Sequence, residues 1–213
     1  MIKKLIHIAL DFLFPKRCIR CGRENELICG ECMERIECFE SSNTKSTRIA
    51  ADYRDETIKK AIWMLKYKGI RQMSDPLSQL ILKCFRDRLK PKSGKTIVVP
   101  VPLSEKRLKE RGFNQSELIA EKISKELNIP IITGELLKIK ETPSQVDLKN
   151  IQDRLKNVRG SMAVKNKETL RDKEVILVDD VITTGATLDE AKRALRGAGV
   201  KKIISLVVAK SKM

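Results

Sequence analysis

Three observations predict an α/β fold: a central, mostly parallel sheet flanked by helices, with a small four-cysteine module at the N-terminus. Val175-Ile176-Leu177-Val178 and Thr96-Ile97-Val98-Val99 are short, largely β-branched apolar runs, the kind that form strands buried on both faces of a parallel sheet. Segments with helical apolar spacing surround them, such as Ile58, Ala61, Ile62 and Leu65. Four cysteines fall between positions 18 and 32. A length of 213 residues allows one ordinary domain plus an appendage, and 41% hydrophobic content allows a packed core.

Met1 to Phe14 starts with Lys3 and Lys4 ahead of an apolar run that Asp11 interrupts. The run is too short to cross a bilayer and no small-residue cleavage site follows it. It reads as an amphipathic helix packed on the chain, with contact to a membrane surface as the other reading. No transmembrane segment is expected, and the expected location is the cytoplasm. Cys18-x-x-Cys21 and Cys29-x-x-Cys32 are two knuckles, and Gly22 and Gly30 allow tight turns beside the sulfurs. Paired knuckles bring four thiolates to tetrahedral spacing around zinc. Two disulfides are the alternative, disfavoured by the lack of a secretory signal. Four thiolates leave no open coordination position, so the zinc is expected to be structural and to contribute roughly 10 to 16 kcal/mol to folding this segment. Cys38 and Cys84 lie outside the spacing and read as small buried apolar residues.

Ser41 to Thr47 is polar throughout and reads as a linker, which divides the chain into an N-terminal helix and zinc module at 1–46 and a larger domain at 47–213. A helix through Ile58 and Leu65 ends at Leu65-Lys66-Tyr67-Lys68-Gly69, with cations near its carboxyl end and a glycine stop. A second helix runs through Leu77 to Leu89. The strand at 96–99 breaks at Pro100-Val101-Pro102, because proline cannot donate into a central ladder. Lys106, Arg107, Lys109 and Arg111 follow, and Gly112-Phe113-Asn114-Gln115 opens a helix containing Leu118, Ile119 and Ile123. Cations followed by Asn and Gln at a helix start can bind a pyrophosphate; a basic, solvent-exposed loop is the other reading. Lys138 to Asn157 reads as a polar, flexible loop.

The apolar run at 175–178 stops at Asp179 and Asp180. Open α/β sheets bind ligands just outside the carboxyl ends of their strands, so both acids sit where a ligand would meet them and can accept two hydroxyl hydrogen bonds. Thr183-Thr184-Gly185-Ala186-Thr187 then offers hydroxyls, a residue free in its backbone angles and small side chains that let main-chain N–H groups approach an anion. Thr187 and Glu190 have capping-box spacing, so a helix should start there and aim its positive end at this cradle. Gly197-Ala198-Gly199 marks the end of that helix and is no dinucleotide fingerprint, and no G-x-x-x-x-G-K-[ST] occurs. His7 is the single histidine, read as a packed or surface imidazole, so no Ser-His-Asp arrangement is available.

The formal charge is +16, from 44 Lys and Arg against 28 Asp and Glu. The first fifty residues hold nine bases and seven acids, so almost all of the excess belongs to the rest. An anionic partner is implied. A multiply phosphorylated small molecule, nucleic acid and a merely solvated Lys-rich surface all fit, and an aromatic content of 4% argues against a base-stacking platform.

The acid pair and the Thr/Gly loop together resemble the signature of type I phosphoribosyltransferases, which bind phosphoribosyl pyrophosphate (PRPP). The four-Cys knuckle, the Leu-Lys-Tyr-x-Gly segment, the Val-Pro-Val-Pro loop followed by Arg-x-x-x-Arg-Gly-Phe-Asn-Gln, and Thr142-x-x-Gln145-x-x-Leu148 with Arg154 and Asn157 narrow the likeness. They resemble the ComF family, phosphoribosyltransferase-like proteins associated with DNA uptake in natural competence, over essentially the whole chain. The resemblance implies a type I phosphoribosyltransferase fold. It implies that Asp179 and Asp180 hold the ribose hydroxyls and that Thr183, Thr184, Gly185, Ala186 and Thr187 hold the 5-phosphate. Arg107, Arg111, Asn114 and Gln115 fall in or beside the pyrophosphate loop, with Val101 also counted among the PRPP-binding positions. Lys138, Lys140, Thr142, Gln145, Arg154 and Asn157 belong to a mobile flap. Family members often carry Arg at positions 138 and 140, and Lys keeps the charge but loses the bidentate fork. Magnesium is expected with PRPP, and Asp179, Asp180, Arg107 and Arg111 carry any catalysis by charge placement. Thr183 stands where purine-salvage relatives carry an acid, which weakens a purine-salvage role. Three functions remain open: a phosphoribosyltransferase or PRPP hydrolase, a PRPP-binding adaptor contacting single-stranded DNA or uptake proteins, and a PRPP-responsive nucleic-acid-binding regulator.

Overall fold

A computed structural model describes residues 16–39, 46–141 and 158–211. Four parallel strands form the sheet, in the order β1 (Thr47–Asp52), β6 (Lys202–Lys210), β5 (Glu174–Ile182), β2 (Thr96–Pro100). The segment at 130–132 continues it past β2, with Val98 N–H donating to Pro130 O and Val98 O accepting from Ile132 N–H. Val98 thus spends its backbone groups outward, while Val101 N–H donates inward to Val178 O. Pro100, in the same backbone phase as Val98, turns its donorless nitrogen to the outer edge, where no ladder bond is lost.

Both faces of the sheet are covered, which is why its strands read as continuous apolar runs. Val98, Ile176, Val178, Leu206 and Val208 face one core with α2 (Glu56–Tyr67), α3 (Ser74–Phe85) and α5 (Gln115–Leu127), through Ile62, Leu65, Leu77, Ile81, Ile119 and Ile123. Ile97, Val99, Val175, Leu177 and Val207 face the other, against Leu188, Ala191 and Leu195 of α7 (Ala186–Gly197) and Leu170 of α6 (Lys167–Leu170). An antiparallel hairpin of β3 (Leu136–Lys138) and β4 (Met162–Val164) lies over α7. Buried Glu190 accepts from Met162 N–H at 3.2 Å and is paired with Arg193, which fastens the hairpin to the helix.

Ile28, Met33 and Ile36 enter the same core as α2 and α3. Lys83 of α3 donates to the carbonyls of Met33 and Glu34, the last two residues of α1 (Gly30–Glu34), and of Ile36 just beyond it, and so caps the end of that helix. Cys38 and Cys84 are not two separate apolar side chains as expected: they form a disulfide, their Cα atoms 5.6 Å apart, within bridging range.

Two expectations about the ligand-facing region need correction. The strand does not end where its apolar pattern does: β5 continues through both acids to Ile182, because the long β6 supplies backbone partners up to Lys210. The helix after it does not start at Thr187. It starts at Ala186 after Gly185, whose left-handed φ of +89° only glycine adopts without strain, and Glu190 serves the hairpin instead of a capping box. Its end at Gly197-Ala198-Gly199 is as expected. The proposed N-terminal helix at 1–14 lies outside the described residues.

Candidate functional site

Beyond Val178, β5 has lost its β2 neighbour but kept β6, and the chain leaves β5 toward β6 while β2 leads away to 130–132. That divergence is the crevice where open α/β sheets receive ligands. Asp179 and Asp180 stand in it, and each meets a different partner. Asp179 Oδ1 accepts from Ser116 Oγ at 3.0 Å and from Asp180 N–H at 2.9 Å. Asp180 Oδ2 lies 2.8 Å from Lys66 Nζ, in an ion pair with both side chains largely buried. The ammonium approaches at an angle that leaves this buried oxygen without a well-directed hydrogen bond.

The acids are 7% and 3% exposed, so they are not solvated strand-end carboxylates but groups held under neighbouring side chains. Burial first, and the Asp180 charge second, push the Asp179 carboxyl up to about 7, against Lys66, the Asp180 N–H and the Ser116 hydroxyl. A cationic wall faces the pair. Arg111, at the end of α4 (Glu105–Arg111), is half-buried; burial pulls its guanidinium below the ordinary range while Asp180 and Tyr67 pull it back up. Its guanidinium lies 5.8 Å from the Tyr67 ring centroid and donates to Gln115 Oε1. Lys138, at the end of β3, is also depressed by burial and by Arg107, with Glu141 and Asp179 opposing. Arg107 therefore acts on both Arg111 and Lys138.

The fold thus gathers Asp179, Asp180, Arg107, Arg111 and Lys138 from β5, α4 and β3. Thr183, Thr184 and Gly185 follow directly and are half-buried, with Ala186 N–H 3.4 Å from Thr184 Oγ1 and Thr187 on the first turn of α7. Val101 and Asn114 have structural duties: the Asn114 amide donates to Val101 O at 3.0 Å, and its oxygen accepts from Ser116 N–H to cap α5. Gln115 is buried and receives Arg111. Lys140 continues from β3, with its N–H 3.4 Å from Ser161 O. Thr142, Gln145, Arg154 and Asn157 lie outside the described residues.

Sequence reasoning missed Lys66 and Ser116. Lys66 read as a helix-end cation and Ser116 was not singled out; the signals available were the place of Lys66 within Leu-Lys-Tyr-x-Gly and that of Ser116 directly after Phe-Asn-Gln. Neither local pattern says which strand the side chain reaches.

The four cysteines form a second site. Cys18, Cys29 and Cys32 are buried, Cys21 is exposed, and all four sulfurs lie within 4.8 Å of one another. Cys21 Sγ and Cys29 Sγ are 3.6 Å apart, close to the edge of about 3.8 Å that a tetrahedron of Zn–S bonds of about 2.3 Å requires. Gly22, at a φ of +79°, closes the turn in which Gly22 N–H returns to Cys18 O, and Cys29 N–H points at Cys18 Sγ at 3.4 Å. Burial pushes the Cys18 thiol up, but the backbone donors of Cys21, Cys29 and Arg20 outweigh it and bring it to about 6. Burial and the neighbouring sulfurs drive Cys32 to about 12. Cys18 ionises readily while Cys32 resists it; the four-sulfur donor set fits zinc and leaves no position open. Among the described residues, no other group of three or more His, Cys, Asp or Glu is placed to hold a metal. A cavity of about 600 Å³ lies between this module and α2, lined by Ile19, Arg20, Tyr53, Lys59, Lys60 and Trp63, apart from the acid pair. No helix of the described residues is long and apolar enough to cross a membrane.

Residues 114–212 match the phosphoribosyl transferase domain family. The chain is 31% identical to competence protein F of Haemophilus influenzae over 192 residues, 87% of this chain and 81% of that protein. It is 28% identical to competence protein ComFC of Bacillus subtilis over 197 residues, 88% and 75% of the two chains. It is 26% identical to DNA utilization protein YhgH of Escherichia coli K12 over 191 residues, 87% and 80%. The matched domain begins at Asn114, so it includes Ser116, the acid pair and residues 183–187, while Lys66 and the four cysteines precede it.

Proposed function

The chain belongs to the ComF family, and from that premise we propose that it binds PRPP at the β5 crevice and serves the uptake or use of DNA. The observation that carries this is the acid pair itself: two buried carboxylates side by side, ringed by Lys66, Arg107, Arg111 and Lys138 and followed at once by a glycine-led helix start. Carboxylates accept from ribose hydroxyls, the backbone of 183–187 with the α7 N-terminus receives the 5-phosphate, and the cations face the pyrophosphate. Magnesium would arrive on that pyrophosphate and screen its charge. Zinc would hold the cysteine module as a structural ion.

In the enzymatic form of the reading, the C1–pyrophosphate bond breaks while a cationic sugar develops, pyrophosphate leaves with the bonding electron pair, and C1 bonds instead to an acceptor base or to water. Arg107, Arg111 and Lys138 stabilise the departing charge, and Asp179 and Asp180 hold the ring hydroxyls. One observation favours a second form, a PRPP-responsive adaptor or nucleic-acid-binding regulator: Thr183 supplies no acid in the phosphate loop to assist an acceptor base. Pyrophosphate release from PRPP, with and without candidate bases, separates the forms: turnover supports the enzyme, and tight binding without turnover the adaptor. Single-stranded DNA binding belongs to the second form. It should be mainly electrostatic, with log affinity falling by about 0.7 per neutralised phosphate for each tenfold rise in salt. Anisotropy of a labelled oligonucleotide across a salt series, with and without PRPP, checks it, and salt-insensitive binding would contradict it.

A further inference from the structure

We propose that Lys66 is a ligand-exchanging counter-ion: it neutralises Asp180 in the empty site and transfers to the pyrophosphate when the ribose hydroxyls take its place on the carboxylate. The inference rests on the PRPP reading and deepens it, since it makes Lys66 a further ligand-binding residue and links two parts of the ligand through one side chain.

The contact between Lys66 and Asp180 is one of charge more than of direction. The nitrogen is 2.8 Å from Oδ2, yet that buried oxygen has no well-directed donor. A hydroxyl can therefore supply the better-aligned hydrogen bond without first dismantling one. Lys66 reaches Asp180 from the last turn of α2, where the helix gives way to Lys68 and to Gly69 at a φ of +66°. Four flexible methylenes let the ammonium move while the helix stays in place.

The neighbours settle where it can go. Tyr67, the next residue, lies under the Arg111 guanidinium, and Arg111 itself acts on Asp180. The α2 end and the α4 end therefore form one wall, so an ammonium released from Asp180 moves into the field that also faces the pyrophosphate. PRPP delivers neutral hydroxyls to the acids and several negative charges to the cations, and it leaves Lys66 better matched by the pyrophosphate than by a carboxylate already satisfied by hydroxyls. Ribose 5-phosphate frees Lys66 without supplying that anion, so the device favours the pyrophosphorylated sugar.

The experiment uses the full, zinc-loaded chain and calorimetric titration with PRPP, ribose 5-phosphate and inorganic pyrophosphate, each with magnesium. In Lys66→Gln, affinity for PRPP should fall about tenfold or more while those for ribose 5-phosphate and for inorganic pyrophosphate, neither of which brings hydroxyls and pyrophosphate together, hold. Equal losses for PRPP and ribose 5-phosphate, or no loss for either, would overturn the role of Lys66 while leaving PRPP binding in place. A wild-type chain that binds none of the three ligands removes the PRPP reading and this inference with it. Should circular dichroism show Lys66→Gln unfolded, Lys66→Arg decides, because it keeps the charge and changes only reach and shape. A shift in PRPP affinity with ribose 5-phosphate and pyrophosphate affinities held supports the exchange, and an equal shift for PRPP and for either of the other two ligands, or no shift in any, contradicts it.

Discussion

The cysteine site takes all four sulfurs from positions 18 to 32, whereas the acid pair takes its partners from four separate elements: Lys66 of α2, Arg111 of α4, Ser116 of α5 and Lys138 of β3. One is a local device in which spacing nearly determines geometry. The other exists only once the sheet has formed, because the crevice is made by the divergence of β5 and β2. The difference also bears on stability. The cysteine cluster is four sulfurs that could hold a metal ion, whereas the acid pair contains its own counter-ion in Lys66.

The largest effect should come from taking that ion away. Zinc binding by four cysteines contributes on the order of 10 kcal/mol, so Cys29→Ser or chelation should release one zinc per chain and lower the melting temperature sharply. Elemental analysis of protein purified without chelator checks the premise, and a metal-free chain of full stability would remove this half of the comparison. Replacing Asp180 comes next. Asp180→Ala strands Lys66 beside a buried gap and should cost about 3 kcal/mol by urea unfolding, and Asp180→Ala combined with Lys66→Met should recover most of it. A loss below about 0.5 kcal/mol would mean that the pair behaves like a surface contact.

A smaller effect is expected from pH. The Asp179 carboxyl is raised from 3.8 to about 7 by burial and by Asp180, so the folded chain holds this proton more tightly than the unfolded one. Its contribution is full below about pH 4 and is lost as pH rises through about 7. Asp179→Asn does not titrate, so wild type should lose stability relative to this variant between about pH 4 and about pH 7. A constant difference across that window would place the carboxyl in the ordinary range.

The contrast also explains what could be read from the sequence. The parallel sheet was legible because strands buried on both faces must be apolar throughout, as 96–99 and 175–178 are. The cysteine cluster was legible because its ligands are neighbours in the chain. The extent of β5 was not, since β6 decides where the ladder stops and two acids hide a strand that continues. The start of α7 was misread because Glu190 has a capping-box position but a tertiary partner, Met162 N–H. The Cys38–Cys84 pairing joins residues whose distance along the chain carries no signal. Lys66 was visible as a cation at a helix end; that it reaches Asp180 follows from how α2 meets β5.

The central claim is that the buried acid pair is the ribose-binding element of a PRPP site. Calorimetric titration of PRPP with magnesium into wild type and into Asp179→Asn combined with Asp180→Asn tests it most directly, because the amides keep the shape of the carboxylates while removing their charge. Circular dichroism should show both proteins folded. Wild type should give a saturable binding isotherm and the double variant should lose it, since hydrogen bonds to charged groups of about 1.5 to 3 kcal/mol each disappear. Unchanged PRPP affinity in a folded double variant would contradict the claim.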